Sequence, residues 1–253
     1  MIGPTLAQKD TAMNRTALDH RDGAVDLRGI LVSDDMRSGR RPGLVLFPDA
    51  RGINSHALEC ADRLAALGFA VLVADLYGGG ITARDIVHAR ELMGALRSDV
   101  TRWRARAEAA RQALVQQGIV DPARVAAIGY CFGGTTALEL GRSGAPLAAL
   151  VTFHGGLASP RPEDARNIRA RVLVCHGAAD VLVPMTVLAS FQEEMSKTNV
   201  DWQVHVYGSA AHGFTNAELD RDPLPGHAYH RGAEQRSWAA MLRLFDETFG
   251  AIG

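Results

Sequence analysis

Cysteine is scarce in this chain: Cys60, Cys131 and Cys175 make an odd set with no Cys-x-x-Cys pair. A disulfide framework is therefore not expected, and three thiols fit a reducing cytoplasm. No histidine and cysteine cluster has zinc spacing, so neither a metal nor another cofactor is expected. No apolar run reaches the length of a membrane span. The segment from Met1 to Asp10 lacks the basic-then-apolar order of a secretory signal. Charge is nearly balanced, at −1, without the footprint of a nucleic-acid binder or an acidic tail. These absences leave a small molecule as the expected partner, with no nucleic acid and no membrane, and a cytoplasmic location.

What is present is an ordinary globular composition: 253 residues, 47% of them apolar, enough for a sizeable core. Residues 1–20 are mixed polar and read as a poorly ordered extension. Residues 21–253 read as one domain, since no Pro/Ser-rich linker or internal repeat interrupts them. Ala24 to Val32 alternates loosely, as an edge strand does. Gly43 to Pro48 is a continuous apolar run, typical of a buried parallel strand. A helix is expected from Ser55, closed by Gly68. Further strands are expected at 70–74, 125–128, 147–153, 172–175 and 203–206. Helices are expected over 83–117, broken near Ser98, and over 184–196 and 233–249. This alternation implies an α/β fold, a mostly parallel sheet with helices on both faces.

The stretch Gly129-Tyr130-Cys131-Phe132-Gly133 carries the most information. It has the form Gly-x-nucleophile-x-Gly, lies between a strand and a helix, and has a thiol where a hydroxyl is usual. The glycines let strand and helix approach closely. The nucleophile then stands at the helix N-terminus, where the dipole and free amides favour a thiolate.

A nucleophile of this type needs a base, and the base needs an acid to orient it. Downstream, Asp180 and then His212 follow strands in the chain order such sites use. His176 and His154 also follow strands and are rival bases. Cys60 and Cys175 read as small core residues. Two backbone amides are expected to hold an oxyanion: that of Phe132, and that of Ala50 in the loop after Pro48. Asp49 beside that loop is placed to influence the thiol, or to satisfy loop amides. Gly226 to His230 reads as surface or pocket edge. A redox thiol and a non-catalytic binding protein remain as other readings of Cys131.

The strings Gly129-Tyr130-Cys131-Phe132-Gly133-Gly134, Ala74-Asp75-Leu76-Tyr77-Gly78, Gly177 to Asp180 with Val183-Pro184, and His212-Gly213-Phe214 resemble those of dienelactone hydrolases. These are carboxymethylenebutenolidase-like members of the α/β-hydrolase superfamily. The resemblance covers roughly residues 24–249. It implies an α/β-hydrolase fold and a Cys131–Asp180–His212 triad that cleaves an ester or enol-lactone through an acyl-enzyme. A general esterase or thioesterase acting on neutral esters is the alternative. The resemblance also implies an acidic residue that keeps the thiol in check, here Asp49. Arg51 is read from the sequence as a replacement positive charge for a substrate, and Tyr77 as a further substrate- or thiol-modulating residue. Family members bind a substrate carboxylate with two arginines, and at the corresponding positions this chain has Ile86 and Asn216.

Overall fold

The computed structural model describes residues 13–250. Eight strands form one sheet in the order β1-β2-β4-β3-β5-β6-β7-β8. They are β1 (Asn14–Asp22), β2 (Val25–Ser33), β3 (Arg41–Phe47), β4 (Ala70–Val73), β5 (Val120–Tyr130), β6 (Ala149–Phe153), β7 (Arg171–Gly177) and β8 (Trp202–Tyr207). From β4 through β8 every pairing is parallel, while β1 and β2 run antiparallel. The helices are α1 (Ser55–Ala66), α2 (Ile86–Arg97), α3 (Val100–Val115), α4 (Phe132–Arg142), α5 (Met185–Ser196) and α6 (Arg231–Phe249). The fold is that of an α/β-hydrolase.

Two expectations change. Residues 1–12 of the extension lie outside the described residues, but Asn14–Asp22 is a regular strand paired along its whole length with β2. Its mixed polar sequence suits an edge strand that faces solvent. The Val25–Ser33 strand is consequently one place in from the edge, between β1 and β4.

Strand composition follows from burial. β3 is buried at every position, with Val45 and Phe47 in the core on one side and Leu44 and Leu46 in the core on the other. The first core receives α3, α4 and α5 through Trp103, Leu138 and Phe191. The second receives α1 and α6 through Leu64, Met241 and Phe245. Two-sided burial explains why such strands lack alternation. The break expected near Ser98 is a change of caps: Ser98 closes α2, and the Asp99 carboxylate accepts from the amides of Thr101 and Arg102 at 3.1 Å to open α3.

The chain leaves β3 in one direction, to β4, and then crosses back to β5 on β3's other side. The C-terminal ends of β3 and β5 are therefore neighbours, with Phe47 opposite Gly129. Such a switch point opens a crevice beyond the strand ends.

Candidate active site

Cys131 follows β5 directly and caps α4, with φ 54° and ψ −118°. Only one other non-glycine residue among those described, His154, has positive φ. The surrounding glycines explain how the bend is possible. A Cβ on Gly129 would lie 2.1 Å from the Gly133 carbonyl oxygen, and one on Gly133 would lie 2.0 Å from that of Phe47. The Cys131 amide donates to the Phe153 carbonyl at 3.0 Å, which ties the elbow to β6.

Phe132 is the first helical residue of α4, so its amide has no partner within the helix. Its ring lies parallel to Trp103 at 5.3 Å and to Tyr77 at 6.4 Å. The Tyr77 hydroxyl donates to the Ala50 carbonyl at 2.8 Å. Tyr77 thus braces the β3 loop and is absent from the lining of the cavity over Cys131. Tyr77 is itself fixed through Asp75. That carboxylate accepts from the amides of Arg28, Tyr77, Gly78 and Gly80 at 2.7–3.0 Å.

His212 and Asp180 come together from the loops after β8 and β7. His212 Nδ1 and Asp180 Oδ2 are 2.8 Å apart, both residues buried. The Asp180 Oδ1 accepts 2.9 Å bonds from the amides of Leu182 and Val183. His212 Nε2 is buried and has no hydrogen-bond partner among the described residues. Burial works against protonation of this imidazole, but charge on Cys131 and the bond to Asp180 outweigh it and push its pKa up to about 10. On Asp180 burial likewise opposes the charged form, and the His212 bond overcomes it and holds the carboxyl low.

Cys131 and His212 line a cavity of about 230 Å³, with Asp49 and Ala50 at one side. Ile86, Leu219 and Leu224 make an apolar far wall. Asp49 accepts from the Arg51 amide at 2.8 Å, from Arg51 Nη2 at 2.9 Å and from Asn54 at 3.0 Å. Arg51 also lies 3.6 Å from Glu218. Arg51 is thus an ion-pair partner of Asp49 rather than a free cation over the pocket. Ile86 and Asn216 both reach the cavity, and Asn216 is committed to capping the short turn at Ala217–Asp220.

The rival bases are placed differently. His176 is buried, and neither ring nitrogen has a partner among the described residues; it does not line the cavity. His154 does line it, but its Nε2 is engaged by Thr215 Oγ1 at 2.8 Å. Burial, followed by the neighbouring histidines, holds His154 well below its usual pKa. Sequence reasoning missed His56, which lines the cavity, and Thr215, which lies behind it with Oγ1 3.4 Å from His56 Nε2. His227, from the segment read as surface or pocket edge, places its ring 4.9 Å from that of His212. Thr215 stands three residues beyond His212, a proximity the sequence does show; His56 and His227 have no comparable signal. Cys60 and Cys175 are both buried, as expected.

A family model, the dienelactone hydrolase family, matches residues 27–249. The chain belongs to this family. It is a hydrolase of carboxylic ester and lactone bonds. Among solved structures it is similar to a dienelactone hydrolase-like promiscuous phosphotriesterase from metagenomic libraries, 47% identical, with 94% of this chain and 99% of that one covered and a TM-score of 0.90. A curated relative from Bradyrhizobium sp. carries the name "Probable 2-oxo-3-(5-oxofuran-2-ylidene)propanoate lactonase"; it is 28% identical over 81% of this chain and 83% of its own length. An α/β-hydrolase enzyme from a deep-sea metagenome shares the fold at 18% identity and a TM-score of 0.70, covering 94% of this chain and 98% of that one. No helix of the described residues is long and apolar enough to cross a membrane.

Proposed function

We propose that the chain hydrolyses neutral esters or lactones through a Cys131–His212–Asp180 triad. The observation that carries this reading is the 2.8 Å Asp180–His212 bond, together with the charge of Cys131 acting on the same buried imidazole beside the cavity that both residues line. The Cys131 thiolate adds to the carbonyl carbon, and the displaced π pair settles on the oxygen facing the Phe132 and Ala50 amides. Collapse of that adduct breaks the C–O bond, and the departing alkoxide takes the proton from the His212 imidazolium. Water then gives a proton to His212 and attacks the thioester. The C–S bond breaks, returning the thiolate and releasing the acid.

Neutral substrates are favoured by the lining. Asp49, Asp85 and Asp222 share the lining with Arg51 and Arg84, three carboxylates to two guanidiniums, and Arg51 is already paired. A bidentate clamp for a carboxylate needs an uncommitted guanidinium in fixed geometry. The apolar wall instead suits an alkyl or aryl group. Wild type and Cys131→Ala are compared on neutral aryl esters and on lactones bearing a carboxylate. Loss of at least about 10³-fold in kcat on neutral esters is expected, with the variant folded. Unchanged turnover in the variant defeats the triad, and faster turnover of carboxylate lactones defeats the substrate assignment.

A second reading is phosphotriester cleavage at the same thiol, favoured by the likeness to the promiscuous phosphotriesterase. A neutral phosphotriester fits the same charge argument. Release of the phenol from an aryl dialkyl phosphate by wild type, but not by Cys131→Ala, tests it.

A further inference from the structure

His56, His154, His212 and His227 all line the catalytic cavity, and the chemistry above uses only His212. Nε2 of His154 and Nε2 of His56 are both turned to the Thr215 hydroxyl, at 2.8 and 3.4 Å. His227 differs. Its Nδ1 lies 2.9 Å from the Pro225 carbonyl oxygen. A carbonyl can only accept, so Nδ1 carries the hydrogen and Nε2 keeps its lone pair. Nothing among the described residues bonds to that Nε2, and it is not one of the nitrogens closed off from solvent.

Backbone bonds fix where this ring stands. The Ala228 amide donates to the His212 carbonyl and the His230 amide to that of Phe214, both at 3.0 Å, so residues 227–230 lie alongside 212–214. The Cδ2 edge of His227 faces Gly213, 3.3 Å from where a Cβ there would sit. Nδ1 is thus turned back to its own loop, and Nε2, bonded to Cδ2, lies on the side of His212. The two imidazole centres are 4.9 Å apart, with the rings at 84° to each other.

This pairing matters after acylation. His212 has then given its proton to the departing alkoxide, and its Nε2 is an acceptor again. Two neighbouring imidazoles offer one lone pair each, and a water has two hydrogens to give. A water bridging two nitrogens through bonds of about 2.8 Å holds them roughly 4.5 Å apart, close to the spacing of the ring centres. The oxygen's lone pairs are then turned away from both rings and left for the thioester carbon. The rings do not compete for the proton. Asp180 stabilises the His212 imidazolium, whereas His227 is bonded to a neutral carbonyl, and burial, ahead of the charge on His212, holds its pKa below the ordinary value.

We propose that His227 positions the hydrolytic water, its Nε2 accepting one hydrogen of the water whose other hydrogen passes to His212. The water oxygen bonds to the thioester carbon, the C–S bond breaks, and sulfur leaves with the electron pair as the Cys131 thiolate. No proton is transferred to His227. The role rests on the acyl-enzyme reading given above and adds to it the group that steers its second half.

Wild type, His227→Phe and His227→Gln are compared in single turnovers with less 4-nitrophenyl acetate than enzyme. Release of 4-nitrophenol reports acylation. The decay of acetyl-Cys131, followed by intact mass after an acid quench, reports deacylation. His227→Phe keeps a flat ring and removes both nitrogens. Its deacylation should be about tenfold slower. Its acylation rate and kcat/KM should stay within about twofold of wild type. His227→Gln returns an amide oxygen near the place of Nε2 and should recover most of the lost rate. Deacylation in His227→Phe within about twofold of wild type, equal slowing of both steps, or a Gln variant no faster than the Phe variant overturns the role and leaves the triad standing. No acetyl-Cys131 in any of the three proteins overturns the acyl-enzyme reading and the role with it.

Discussion

Asp180 divides its carboxylate between His212 and its own loop. Oδ2 meets His212 Nδ1 at 2.8 Å, while Oδ1 takes the amides of Leu182 and Val183. One oxygen aims the imidazole, and the other keeps the carboxylate from turning. In Asp180→Asn the amide can no longer enforce the Nδ1–H tautomer that leaves Nε2 free to accept a proton. A fall in kcat on the order of 10³–10⁴ is expected, with KM nearly constant. Steady-state kinetics on a neutral aryl ester measure it, and a kcat within about threefold of wild type contradicts the assigned role.

The His212 shift also predicts how stability depends on pH. Its folded pKa, about 10, lies above the ordinary value near 6.5. The protonated ring therefore stabilises the fold fully below about pH 6.5, and that contribution fades as pH climbs towards 10. Asp180 has the opposite sign: its lowered pKa helps above about pH 3.9 and is lost as pH falls through the folded value. The thermal midpoint of wild type should exceed that of His212→Gln by a few degrees near pH 6. The gap should close near pH 10. A gap of constant size from pH 6 to 10 rules this linkage out.

Gly133→Ala tests the elbow. The added Cβ would sit 2.0 Å from the Phe47 oxygen and 2.4 Å from that of Pro48. Both are backbone atoms at the end of a strand buried on both faces, so neither can give way cheaply. Destabilisation above about 3 kcal/mol is expected, seen as a lower denaturation midpoint in urea. Gly23→Ala is a control for glycine replacement at a site where a new Cβ meets nothing within 4 Å, its cost limited to the positive φ. Equal effects from the two would mean that crowding at the elbow is unimportant.

Tyr77→Phe removes one hydroxyl and leaves the ring against Phe132. The Ala50 carbonyl then loses its 2.8 Å donor, and the loop carrying the Ala50 amide is less firmly held. A drop of roughly tenfold in kcat is expected, with a smaller change in KM. An equal rise in KM with kcat preserved would show that Tyr77 serves binding instead.

Much of this architecture is visible in the residues themselves. Continuous apolar runs mark β3, β4 and β6 because those strands are covered on both faces. The elbow shows because only glycine tolerates the approach distances at 129 and 133. Other features leave no local trace. β1 was hidden because an edge strand can be polar at nearly every position, and its order comes from pairing with β2. Arg142 is wholly buried, which its charge disguises; it is held by Glu139, Glu194 and the Leu157 carbonyl, partners scattered along the chain. Arg51, two residues on from Asp49, reads as a spare charge, since nothing in that spacing tells whether two side chains turn towards each other. The histidines gathered from positions 56, 154, 212 and 227 become neighbours only when the switch point draws their loops together.

Asp75 has a consequence that reaches the chemistry. Three successive glycines, 78–80, all with positive φ, would ordinarily make a wandering loop. A single carboxylate collects the amides around them and fixes the segment from which Tyr77 reaches the Ala50 loop. The entropy of that segment is surrendered once, when the chain folds, and not again at each turnover. In the proposed mechanism an arriving ester meets dipoles already in formation, and its own binding energy is left for the bond that must break.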